Sequence, residues 1–437
     1  MIALGLDIGT TTICGAAVDS SDGRVLKSVT LKNAFAPSER SWEKLQNPAD
    51  IMLSVISIAE KMSAEFEISC IGVSGQMHGI LYVDKNGEAV SPLYTWQDER
   101  GALAYKEGSY ADYTGTKSGY GLATHFYNLK NGLIDSRAVT FCTIGDFAAM
   151  NLAGNTKPIL HQSNAASLGM YNLKERSFDY AAAEKLGMPA ELFPKIGEGI
   201  IGSRNKAPVA CAIGDNQASF IGSVRDMKRS ILVNVGTGSQ VSVYTEDAAN
   251  HDGFELRPCV YDGMLMVGAP LCGGRAYAML KDFYLEVLKM AGITFCVDMY
   301  EKMAEALDKC AAPELHVITT FCGTRSEPEK KGAILNISTE NFTPYNLTLG
   351  MLNGIAQELY IMYEKMQKPR TELVASGNGV RNNRILQQIL EQKFGIRLHI
   401  PKHNEEAAYG AALYALTESG VFSKLDEAQR YIRYEEE

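Results

Sequence analysis

Apolar positions at the start of the chain fall into two dense runs, 2–8 and 12–19, broken by Gly9, Thr10 and Thr11. Runs of this length with a short polar break predict two buried strands joined by a tight hairpin turn. The shape returns far downstream in "ILVNVGTGSQVSVY", 231–244, where Gly236, Thr237, Gly238 and Ser239 form the break. Further strands are predicted at 24–31, 69–74 and 78–84, with a hairpin turn at "DKNGE", 84–88. The period of "NPADIMLSVISIAEKMSAEF", 47–66, predicts a helix opened by Asn-Pro.

From Trp96 to Lys206 the pattern turns helical and loop-rich, and reads as an insertion on the first sheet rather than part of it. "VACAIGDNQASFIGS", 209–223, predicts strand, turn and helix, and "DMKRS", 226–230, a crossing to a second unit. Helices are predicted at 273–292 and within 343–367. Strand, Gly-rich turn, helix, Gly cap and strand follow over 372–401, then an Ala-rich helix at 405–420 stopped by Gly420.

The length, 437 residues, exceeds one ordinary core, so two domains are expected, 1–224 and 225–437. Net charge of −9 and the lack of a dense Lys/Arg run argue against a nucleic-acid partner. No apolar run reaches membrane-spanning length and no basic leader precedes the first strand, so no membrane partner and a cytoplasmic location are expected. The nine cysteines form no C-x-x-C pair and sit mostly in apolar runs, as reduced core thiols do. Oligomeric state is left open, a homodimer included.

A hairpin turn leaves its backbone amides unpaired and convergent, which suits a phosphate; glycine permits close approach and Thr hydroxyls add donors. Two such turns, each heading a domain, can grip one polyphosphate from two sides, although either alone is also an ordinary hairpin. Asp7, ending its strand beside the first turn, is placed to hold Mg²⁺ through water, or to cap the turn. No Walker A sequence occurs. The Gly-rich turn before Asn382 suits a flat or anionic group. Asp215, between a strand and a small-residue helix, is either a general base or a helix N-cap. Gln76, His78, Gln97, Asp98 and Arg100 put donors and acceptors at strand ends beside the flat face of Trp96, the mixture a sugar requires.

The motifs, in their order, resemble those of the FGGY carbohydrate kinases. They are Asp7-x-Gly9-Thr10-Thr11, "GQMHG" (75–79), "WQDER" (96–100), "IGDFAAMNLAG" (144–154), "SNAAS" (163–167) and "GDNQAS" (214–219) in the first half. "VGTGS" (235–239), the Gly pair before "YAMLKD" (277–282), "GNGVRNN" (377–383) and "EEAAYGAA" (405–412) follow in the second. The resemblance spans about 3–420 and implies an α/β fold of two actin-like, RNase H-like ATPase domains with a ligand cleft between them. ATP and Mg²⁺ are the implied cofactors and a small sugar the implied partner.

Position by position, the resemblance places Thr10, Thr11 and Thr12 in one phosphate loop and Gly236, Thr237 and Gly238 in the other. Gly274, Asn378 and Asn382 fall on nucleotide contacts. Gln76, Met77 and His78 fall on the sugar-contacting turn, in the Met-His form of the ketose kinases, and Asp98 on the sugar-side W-x-D-x-R motif. Asp215 matches the catalytic base and Asn216 its substrate-binding neighbour. "GYGLATHFYNLKN" (119–131) and "FCGTRSEP" (321–328), with Thr324 where the family has Glu, depart from the general pattern and resemble the sedoheptulokinase branch. The implied reaction is phosphorylation of a ketose at a primary hydroxyl, sedoheptulose to its 7-phosphate. Xylulose or ribulose is the alternative acceptor, and an actin-like ATPase without an acceptor the alternative from another class.

Overall fold

Strand β1 (Ile2–Ile8) is buried almost throughout, while β3 (Val25–Lys32) alternates half-buried and exposed residues; the first is central and the second an edge. Between them in the sheet runs β2 (Thr12–Asp19), antiparallel to β1 in a register that closes at Ile8 opposite Ile13. On the other side of β1 lie β4 (Ile68–Gly75), parallel to it, then β5 (Ile200–Arg204) and β6 (Ala207–Ala210), in the order β5-β6-β4-β1-β2-β3. In this computed structural model residues 1–236, 238–247, 253–293, 297–305, 315–324, 327 and 329–436 are described. Thr237, Cys296 and Cys310 lie outside them.

The second sheet repeats the plan. Its central strand β7 (Ser230–Val235) pairs antiparallel with β8 (Ser239–Thr245), closing at Val235 opposite Ser239. Strands β9 (Glu255–Pro258) and β10 (Met264–Gly268) extend the β8 side, and β11 (Glu372–Ser376) and β12 (Leu398–His399) run parallel on the other. The sheet order is β9-β10-β8-β7-β11-β12, so five strands match five of the first sheet in order and direction. The chain is a duplicated α/β fold.

Helix α1 (Pro48–Glu65) begins where Asn47 accepts from the Ala49 amide at 3.0 Å and Pro48 takes the first turn, and it buries Ile51, Val55, Ile58 and Met62 against the first sheet. Between the sheets run α2 (Asp215–Ser223) and α3 (Glu406–Glu418). One buried cluster draws on both helices and both sheets, with Ala3, Val18, Leu232, Val374, Phe220 and Leu413 among its members. The closeness is set by glycine. A Cβ on Gly5 would lie 1.8 Å from the Ala408 carbonyl oxygen, and one on Gly72 1.9 Å from that of Ala411. The last long helix of the sequence therefore packs on the sheet formed by its first strands.

Two expectations need correction. Residues 200–204 form the edge of the first sheet, although 96–206 read as lying outside it; the strand is partly exposed and its Gly-Ser-Arg end hides any alternation. The strand expected from 78 begins at Leu81, because His78 adopts φ 73° and the Gly79 amide bonds back to the Met77 carbonyl at 2.9 Å. The described cysteines are free, six buried and Cys322 exposed. Among the described residues no helix is long and apolar enough to cross a membrane.

Candidate active site

The two hairpin turns face the cleft between the sheets. On one side of the second turn lies a cavity of about 610 Å³ lined by Thr10, Met77, His78, Asp215, Asn216 and Gly238, among others. On its other side lies a cavity of about 820 Å³ lined by Gly236, Gly274, Asn378, Asn382, Tyr277 and Leu386, among others. Gly238 thus faces the smaller chamber and Gly236 the larger, mainly apolar one.

Asp215 is the first residue of α2. The N-cap is Gly214, and no side chain caps the helix, so the carboxylate is not spent on the role that competes with catalysis. Burial, then the charge of Asp7, push its pKa up to about 7, against the pull of Arg257. A carboxylate poised near neutrality is suited to accept a hydroxyl proton. Next to it Asn216 is buried with Nδ2 and Oδ1 both lacking a protein partner. A buried primary amide left unpaired is costly, and a polar ligand removes that cost.

The opposite wall comes from the turn after β4. Gln76 donates its amide to Gln46 Oε1 at 2.8 Å and takes a long contact, 3.4 Å, from the Thr10 hydroxyl. Thr10 also accepts from the Trp96 indole N–H at 2.9 Å, so the first hairpin turn is fastened to the acceptor wall. His78 lies 2.7 Å through Nδ1 from the Ser167 carbonyl oxygen. A carbonyl only accepts, so Nδ1 carries the proton and Nε2 is left as an acceptor. Burial foremost, with Arg257, holds the imidazole pKa down to about 4, and the neutral ring stacks on Tyr120 at 4.4 Å.

Asp98 does not line this cavity. It is fully buried, taking the Lys44 amide at 3.1 Å and Arg100 Nε at 2.5 Å, while Arg100 lies over the Tyr94 ring at 4.1 Å and donates to Asn128 at 2.7 Å. The pair braces the segment that presents Trp96. The unusual stretch 119–131 does reach the cavity: Gly119 and Tyr120 line it, and a Cβ on Gly119 would meet the Trp96 carbonyl at 2.0 Å.

Asp7 accepts from the Ser74 hydroxyl at 2.7 Å, and burial with the nearby Glu405 raises its pKa to about 6. Thr11 and Thr12 are exposed at the turn. Helix 273–290 starts without a side-chain cap, and a Cβ on Gly273 would lie 2.6 Å from the Ser239 amide nitrogen, so its positive end abuts the second turn. Several residues of this cleft carry no motif in the sequence, Lys117, Glu255 and Arg257 among them. Glu255 and Arg257 stand on β9, and their place in the cleft comes from the docking of that strand.

Fold and cleft define a two-domain actin-like phosphotransferase. The model for the N-terminal domain of the FGGY family of carbohydrate kinases matches residues 2–232, and that for the C-terminal domain 231–419. The chain belongs to the FGGY family of carbohydrate kinases and is an enzyme of that kind. It is 27% identical over 470 aligned positions to the sedoheptulokinase of Mus musculus, covering 95% of this chain and 97% of the relative. It is 26% identical to that of Homo sapiens with the same coverage. A ligand-bound xylulose kinase from Lactobacillus acidophilus superposes with a TM-score of 0.84 at 18% identity, over 99% of this chain and 92% of that one.

Proposed function

We propose that the protein transfers the γ-phosphoryl group of ATP to a primary hydroxyl of a ketose, converting sedoheptulose to sedoheptulose 7-phosphate. The observation that carries this reading is that Gly238 lines one cavity with Asp215 and Asn216, while Gly236 lines the other with Gly274, Asn378 and Asn382. Asp215 takes the hydroxyl proton as the new P–O bond forms, a contribution of roughly 10²–10⁴-fold. Asn216 and His78 Nε2 orient neighbouring hydroxyls, and the Met77-His78 turn closes the wall behind them.

Gly274, Asn378 and Asn382 would hold the nucleotide, with Thr10, Thr11, Thr12, Gly236, Thr237 and Gly238 around its phosphates. Asp7 fits a hydrated Mg²⁺: it is a partly buried acid within the electrostatic reach of a second carboxylate, Glu405, and a cation relieves that repulsion. When bound, the ion would supply charge neutralisation for the phosphates. Sedoheptulose is favoured by the two sedoheptulokinase relatives, which align over 95% of the chain. D-Xylulose or D-ribulose is the second reading, since the Met77-His78 turn is the ketose-kinase form.

The test is ADP release with Mg·ATP against sedoheptulose, D-xylulose, D-ribulose, D-gluconate, glycerol and no sugar. Release dominated by sedoheptulose is expected. Dominance of a pentulose moves the error to the acceptor pocket, and release indifferent to every sugar overturns the reading.

A further inference from the structure

The acceptor cavity does not end at His78. A second chamber of about 700 Å³ adjoins it, and Met77, His78, Tyr120, Glu255 and Arg257 line both. The junction is formed from two sheets: Met77, His78 and Tyr120 belong to the first unit, Glu255 and Arg257 to β9 of the second.

Arg257 is held there firmly. Buried amides of the first unit grip the end of its strand: Gln217, two residues past Asp215 on α2, donates to the Pro258 carbonyl at 2.7 Å, and Gln162 to that of Cys259 at 2.9 Å. Glu255 accepts Arg257 Nη2 at 2.6 Å and Nε at 3.2 Å, and also pairs with Lys117 across the cleft. Both members of the Glu255–Arg257 pair are largely buried, with side chains 18% and 16% exposed. Among the described residues Glu255 is the guanidinium's hydrogen-bonding partner, and Nη1 is engaged by none. A fork with one arm fixed and the other open toward a cavity suits an oxygen-rich ligand.

We propose that Arg257 is a specificity-determining residue that binds the end of the acceptor remote from Asp215, selecting acceptors long enough to reach the junction of the two chambers. The inference rests on the reading of Asp215 as the base, since it takes the phosphorylated hydroxyl to lie there. Discrimination by length follows from chemistry: a short acceptor leaves Nη1 of the guanidinium without a partner, and a polar site punishes a missing hydroxyl far more than an apolar one does.

The experiment measures kcat and KM of Arg257→Met and Arg257→Lys for sedoheptulose and D-xylulose, with ADP affinity by calorimetry as the check on folding. In Arg257→Met the ratio of kcat/KM, long acceptor over short, is expected to fall roughly 10–100-fold, mostly through KM of the longer sugar. Arg257→Lys, which keeps charge but loses the fork, is expected to recover part of that ratio. A parallel fall for both sugars overturns the proposal, because Arg257 would then act on the shared chemistry at Asp215. An unmoved ratio overturns it too. If the wild-type enzyme prefers D-xylulose, the sedoheptulose reading fails separately, and Arg257 is judged on D-xylulose against glycerol by the same two outcomes.

Discussion

The charge of Asp7 bears on Asp215: the acid beside the first hairpin turn raises the proton affinity of the acid that opens α2. The two carboxylates converge on one cleft from different elements, and the relation fixes the first expectation. Asp215→Asn should lower kcat by roughly 10²–10⁴-fold while ADP still binds, because the larger cavity, proposed for the nucleotide, is built from other residues. In the wild-type enzyme activity should rise with pH through about 7, as Asp215 loses its proton. A variant with near wild-type kcat in stopped assays of ADP formation would remove Asp215 from the mechanism.

The same shift carries a stability cost of definite sign. The folded-state pKa of Asp215, about 7, lies above its ordinary value of 3.8, so the folded state favours the protonated form. The group's contribution is fully present below about pH 4 and is lost as pH rises through 7. Asp215→Asn should therefore be more stable than wild type at pH 8, by on the order of 2 kcal/mol, with the gain vanishing near pH 4. Thermal melts across that range check it, and a constant offset would refute it.

Asn216→Ala tests the unpaired amide. No protein hydrogen bond is lost, since neither polar atom has a partner, so the melting temperature should hold or rise. KM for the sugar should rise roughly 10–100-fold while KM for ATP stays close to wild type. Steady-state kinetics with each substrate varied separate the two, and equal changes in both would place Asn216 outside the acceptor pocket.

Gly377→Ala addresses the larger cavity. Gly377 sits at φ 87° before Asn378, and a Cβ there would lie 2.8 Å from the Val235 carbonyl oxygen. The strain, of order 1–3 kcal/mol, should push the turn carrying Asn378 and Asn382 away from its position. KM for ATP should rise about tenfold, with the sugar KM little affected. Isothermal titration with ADP reports the same loss without turnover.

Much of this architecture was legible in the sequence because local rules suffice for it. Both hairpins, the strand–turn–helix around Asp215 and the glycine-rich turn at Gly377 occupy the positions that pattern and turn chemistry indicate. The choice between base and cap at Asp215 was not legible, as it depends on Gly214 taking the cap position. Asp98 shows the converse: its motif points to the sugar side, but the Asp-x-Arg spacing lets it close on Arg100 beneath the cavity wall. Arg257 was invisible because nothing local marks it. Its place comes from Gln162 and Gln217 holding a strand of the other sheet.

The glycine seam under α3 also bears on how the molecule is made. Gly5 and Gly72 admit a helix whose residues, 406–418, follow those of both sheets in the sequence. Until they arrive, one face of the first sheet has no cover, however early its strands form. The first sheet therefore completes its core only after the second sheet has been synthesised, and the two halves are expected to reach the native state as one cooperative unit.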